Sequence, residues 1–101
     1  MPAYAVFELT FDREATAEQL AAYDQYRAEV VALVEAHGGT YLARAWDVST
    51  LEGRPAGDRC HVVEFPDGAA ARSFWADPAY LALTPLRAGA VDVRAILVEP
   101  R

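Results

Sequence analysis

The chain has 101 residues and a mass of 11.0 kDa, enough for one domain built on one core. Fifteen acidic residues stand against nine arginines and no lysine, for a net charge of -6. No two basic residues are adjacent, whereas a surface that displaces counterions from phosphates needs clustered cations, so nucleic-acid binding is disfavoured.

At 53% hydrophobic and 24% charged residues, neither disorder nor a fibrous class fits. No apolar run approaches the roughly 18 residues of a membrane span. Met1-Pro2-Ala3-Tyr4 enters a strand-like segment without a basic region or a signal core, so no membrane association is expected. The single Cys60 has no disulfide partner and lacks the companions of a thiolate metal site. These features lead us to expect a cytoplasmic globular protein. Surface scaling gives about 65% burial on folding, adequate but improved by a partner.

Ala3 to Phe11 alternates Ala5, Phe7, Leu9 and Phe11 against Tyr4, Val6, Glu8 and Thr10, which predicts a first strand. Thr16 and Gln19 have the spacing of a capping box and open a long helix. Leu20, Tyr23, Val30, Val34 and His37 form its inward stripe, with Arg27 at the intermediate step. Gly38-Gly39 stops it. Thr40 to Val48 reads as a second strand, Ser49 to Asp58 as a polar hairpin loop, and Cys60 to Phe65 as a third strand. Pro66 and Asp67 open a second helix with Ala70, Phe74 and Ala71 inward. Asp77-Pro78 then starts a further helical piece as cap and first residue, ending near Ala88-Gly89. Val91 to Glu99 is the last strand.

The order strand, helix, strand, strand, helix, strand predicts an α+β, ferredoxin-like fold over residues 1-101: a four-stranded antiparallel sheet with its helices on one face. The other face would then lie open. Yet every strand is apolar on both sides, since Tyr4 and Val6 oppose Phe7 and Leu9, and Val62 opposes Val63. Packing two such sheets face to face buries both, which predicts a homodimer.

Ala36-His37-Gly38-Gly39, Tyr41-Leu42-Ala43-Arg44, Leu51-Glu52-Gly53, Glu64-Phe65-Pro66, Asp77-Pro78-Ala79-Tyr80 and Leu86-Arg87 occur in an order and spacing covering nearly the whole chain. On these residues the chain resembles the domain of unknown function 1330 family. The resemblance implies a dimeric α/β-barrel of ferredoxin-like subunits and supplies no reaction. Relatives by fold include cofactor-free monooxygenases of antibiotic biosynthesis, muconolactone isomerases and haem-degrading enzymes. The chain departs from the usual family pattern at Trp46 to Thr50, where a Gly-rich stretch is commoner, and in carrying Cys60-His61.

His37, at a helix C-terminus where the dipole favours the imidazolium, reads either as a general acid or base or as a cap on the last turn. Arg44 and Trp46 point to one side of the second strand and together suit a carboxylate over an aromatic plate. For Arg44 the plainer alternative is an ion pair with Glu8 or Glu64. For Trp46 it is packing. Tyr80 and Arg87, seven residues apart, share a helix face and suit an anionic ligand, or Tyr80 plugs the core with its hydroxyl at the rim. Glu52 reads as a loop residue on display or merely solvated. Cys60 and His61 point to opposite faces, which excludes a nucleophile-base pair and makes Cys60 core filler.

His37 and His61 lack an acidic partner at ligand spacing, so no metal is expected. Without a P-loop, dinucleotide fingerprint or nucleophile elbow, no cofactor is expected either. The function so indicated is small-molecule binding by a homodimer. Cofactor-free acid-base chemistry on an organic acid, lactone or phenol is one reading. A ligand-sensing or structural dimer is the other.

Overall fold

The computed structural model describes residues 1–100. β1 (Ala3–Phe11) occupies an inner position of the sheet, between β3 (Arg59–Phe65) and β4 (Val91–Val98), while β2 (Thr40–Ala45) lies at the edge beside β3. All three pairings are antiparallel, in the order β2-β3-β1-β4, as the ferredoxin-like reading requires.

α1 (Ala17–Ala36), α2 (Gly68–Ala76) and α3 (Pro78–Ala88) supply the helical layer. The capping box is complete: Gln19 N–H donates to Thr16 Oγ1 at 3.1 Å and Thr16 N–H to Gln19 Oε1 at 2.8 Å. Gly38 adopts φ +81°, a left-handed conformation that closes α1 without the Cβ clash other residues would suffer. Asp67 and Asp77 cap α2 and α3 through the Ala70 and Ala79 amides, each at 2.8 Å, and Asp77-Pro78 separates the two helices.

The helices bury one face of the sheet. Val30 and Val34 of α1, Ala71 and Phe74 of α2, and Tyr80 of α3 cluster with Ala5, Val63 and Phe65, while Tyr23 of α1 packs with Leu9, Ala90 and Val91. Leu20, expected on the inward stripe, is 40% exposed; the buried stripe begins one turn later, at Tyr23. β2 ends at Ala45 rather than Val48, because Trp46 leaves the ladder and stacks on Phe11, ring centroids 5.8 Å apart at 7°. β4 stops at Val98 instead of Glu99, whose carboxylate is paired with Arg72.

Registry fixes what the second face carries. Ala43, Val62, Val6 and Ile96 form one apolar row across all four strands, and Tyr4 pairs with Val98 in the next row. Ile96 and Val98 are 43% and 45% exposed. Cys60 lies on this face between Glu8 and Ala45, so it does not fill the helix-side core; burial and then the nearby Glu8 push its thiol pKa up.

Candidate functional site

On the helix side, β3 shows an anomaly of alternation: Phe65 and Val63 are core residues, but His61 and Arg59 continue the same face with cationic and titratable groups. A cavity of about 40 Å³ opens there between α1 and the sheet, lined by Tyr26, Arg27, Tyr41, Arg44, His61 and Phe74 among others. At roughly 10–15 Å³ per water, that space equals about three waters, or a carboxylate and the carbon beside it.

Arg44 reaches this cavity because β2 is irregular. Thr40 pairs with Glu64 and Tyr41 with Val63, but Ala43 pairs with Val62, so Leu42 is an extra residue in a β-bulge. Regular pairing would put Arg44 opposite Cys60, on the face of Glu8 and Glu64. The bulge turns it opposite His61, on the helix side. The ion pair anticipated for Arg44 with Glu8 or Glu64 is therefore not made, and its guanidinium lies over the Tyr41 ring, 4.9 Å from the centroid.

Arg59 is 2% exposed. Its Nη1 donates to the Tyr23 hydroxyl at 3.1 Å and its guanidinium lies 3.7 Å from the Trp46 ring centroid. Arg27 approaches the same two rings, 5.9 Å from Tyr23 and 5.7 Å from Trp46. Among the described residues no carboxylate pairs with Arg59 or Arg44, and none lines the cavity. Arg27 pairs only with Asp24 at the surface, 3.2 Å away, which leaves its buried Nε without a partner.

The field of these cations acts on His61. Burial first, and then Arg59, Arg44 and Arg27, hold its pKa down to about 4, so the imidazole is neutral at physiological pH. Tyr41 and Tyr26 are pushed upward, chiefly by burial, and remain protonated donors.

The five residues singled out from sequence divide between two places. Arg44 lines the cavity, whereas Trp46, 55% exposed, is not part of the lining and packs against Phe11 and Arg59. Tyr80 and Arg87 both meet Tyr26, a lining residue: the two hydroxyls are 3.1 Å apart and the guanidinium lies 5.8 Å from the ring. Tyr80 is 1% exposed, so its hydroxyl is buried rather than at a rim. His37 lies outside the lining; its Nε2 is 2.8 Å from Asp77 Oδ2, tying the end of α1 to the start of α3. That contact, with the Ala79 amide, holds the Asp77 carboxyl below its ordinary pKa. Glu52 is exposed in the loop. Arg59, His61, Tyr26 and Tyr41 are the site residues the sequence reading passed over. The signal for the first two was their parity with Val63 and Phe65.

Among the described residues no helix is long and apolar enough to cross a membrane, and no group of three or more His, Cys, Asp or Glu is placed to hold a metal ion. The architecture defines a ferredoxin-like α+β protein with an arginine-lined cleft between helices and sheet. More particularly, the chain belongs to the family described as Domain of unknown function (DUF1330), whose sequence profile matches residues 2–100. No curated protein matches it significantly. It is similar in fold to RPA0582 of Rhodopseudomonas palustris, a protein of unknown function, at 23% identity and a TM-score of 0.77, over 99% of this chain and 82% of that one. A dimeric ferredoxin-like protein of unknown function from Bacteroides fragilis aligns at 11% identity and a TM-score of 0.65, over 98% and 96% of the two chains. SnoaB of Streptomyces nogalater, a cofactor-independent oxygenase, aligns at 15% and 0.65, over 99% and 93%.

Proposed function

We propose that the protein is a homodimer, joined through the open sheet face, that binds a small organic carboxylate in the cleft of each subunit. The observation that carries the ligand reading is that, among the described residues, Arg27 and Arg44 line a cavity with no carboxylate in its lining, while the buried Arg59, also without a counter-anion, shares the Trp46 ring with Arg27. A desolvated charge is costly unless paired, and two guanidinium groups lining a cavity of carboxylate size, with a third buried nearby, supply what an incoming anion would pair with. The cavity is too small to enclose the whole ring of a phenol or lactone, so the remainder of a larger ligand would lie outside it.

Dimerisation is supported by the apolar row Ala43, Val62, Val6 and Ile96. The accessible surface of 6402 Å² adds to it, being about 800 Å² above the value scaling gives for 11.0 kDa, the share one partner contributes to a standard interface. The fold neighbour from Bacteroides fragilis is itself dimeric. A reducing cytoplasm, where Cys60 stays a thiol, suits this assembly.

Calorimetry with acetate and benzoate tests the ligand reading. Arg44→Ala should weaken binding by about 1.5–3 kcal/mol, the range for a charge-assisted hydrogen bond. No binding of either acid to the wild-type dimer would refute it.

A further inference from the structure

We infer that His61 is the base of this cavity, taking a proton from a carbon acid whose carboxylate the arginines hold, as in a 2-oxo acid with a C–H beside its carbonyl. The inference rests on the carboxylate reading above and assigns it a chemistry.

Position comes first. His61 stands on the sheet floor in the row Arg44, His61, Phe7, Ala95, and its ring lines the cavity. Tyr41 holds the ring edge-on, centroids 6.0 Å apart at 84°. Its Nδ1 is buried and, among the described residues, has no hydrogen-bond partner. The contrast with His37 is direct, since that imidazole is occupied by Asp77. A buried ring nitrogen without a partner is rare, and it leaves the imidazole, which lines the cavity, untied to any protein group.

Among the described residues, the groups facing His61 leave it as the only base. From α1 come Tyr23, Tyr26 and Arg27, from β2 Tyr41 and Arg44, and from its own strand Arg59; β1 contributes Phe7 and Leu9, and α2 contributes Phe74. The arginines cannot accept a proton and the buried tyrosines keep theirs. Burial first, and then the same cations, keep the free imidazole neutral, with its lone pair unprotonated. An entering carboxylate offsets that positive field, so His61 becomes more basic when substrate is present.

In the step itself, the substrate C–H bond breaks and its proton passes to His61. The electron pair stays on the substrate as an enolate, and Arg44 and Arg27 face the oxygen that gains charge. Return of a proton to the same carbon, after the imidazolium has traded its own with solvent, gives hydrogen exchange, and return to another carbon gives an isomer. Neither outcome consumes an oxidant or a cofactor.

The experiment uses the full-length protein and pyruvate as probe. Ring ¹⁵N-¹H spectra would follow the titration of both histidines, with His61→Gln assigning the signals. Saturating pyruvate should raise the His61 midpoint by about one pH unit or more and leave His37 in place. Deuterium uptake into the pyruvate methyl group should fall by roughly 10² or more in His61→Gln, with pyruvate affinity within about threefold of wild type. If pyruvate binds but the His61 midpoint stays and exchange survives in His61→Gln, the base assignment is overturned while the carboxylate site stands. If neither pyruvate nor acetate binds, both readings fall.

Discussion

Replacing Arg59 by methionine separates a binding role from a structural one, because the two predict opposite behaviour in the absence of ligand. Arg59 is 2% exposed and makes two attractive contacts, a hydrogen bond to Tyr23 and a stack on Trp46. Losing the first costs about 1.5–3 kcal/mol for a bond from a charged donor, and losing the second about 2 kcal/mol for a desolvated cation-π pair. Against these stands the release of a buried, uncompensated charge, an effective penalty of several kcal/mol that methionine does not incur. The opposing effects nearly cancel, so ligand-free Arg59→Met should unfold within about 1 kcal/mol of wild type, a Tm change of roughly 4–8 °C at most for a domain this size. Its affinity for acetate or benzoate should nevertheless drop tenfold or more. Thermal melts and calorimetry at matched protein concentration check both halves, since a dimer's Tm depends on concentration. A loss of 3–5 kcal/mol in stability, the cost of breaking a satisfied buried ion pair, would refute the idea that Arg59 awaits an anion.

Val6→Asp and Val62→Asp place a carboxylate in the middle of the open face, and either should convert a scattering mass of about twice 11.0 kDa to that of a monomer or an unfolded chain. Wild-type protein that is monomeric at micromolar concentration would refute the dimer. Stability should fall as pH drops from about 6.5 towards 4: over that window the unfolded His61 binds a proton and the folded one does not, so acid favours unfolding. The ring is partly exposed and solvent screens it, so the loss amounts to about 1–2 kcal/mol, absent in His61→Gln. Deleting Leu42 removes the bulge and turns Arg44 onto the open face; carboxylate affinity should fall at least tenfold and the dimer should weaken, both measurable on one preparation. His37→Ala should cost about 1 kcal/mol through the lost bridge to Asp77 while binding of acetate stays unchanged, whereas a drop in binding or turnover would bring His37 into the site.

Much of the architecture is local and so legible in the residues alone. Thr16 with Gln19, Gly38, Asp67 and Asp77-Pro78 mark helix ends because their chemistry satisfies backbone groups within a few positions. The two-residue period of β1 shows which side chains share a face, and the apolar content of both faces anticipates the exposed row on one of them. Arg44 marks where local reasoning ends. Its parity in sequence assigns it to Glu8 and Glu64, and one unpaired residue at Leu42 reverses that, a matter of pairing with β3 that no single strand encodes. Trp46 likewise leaves its strand for Phe11 and Arg59, partners 35 and 13 residues distant. The site is an assembly of the same kind: Arg27 from α1, Arg44 from β2 and His61 from β3 are unremarkable singly, and only their convergence on one small cavity, with no carboxylate lining it among the described residues, gives them a shared electrostatic purpose.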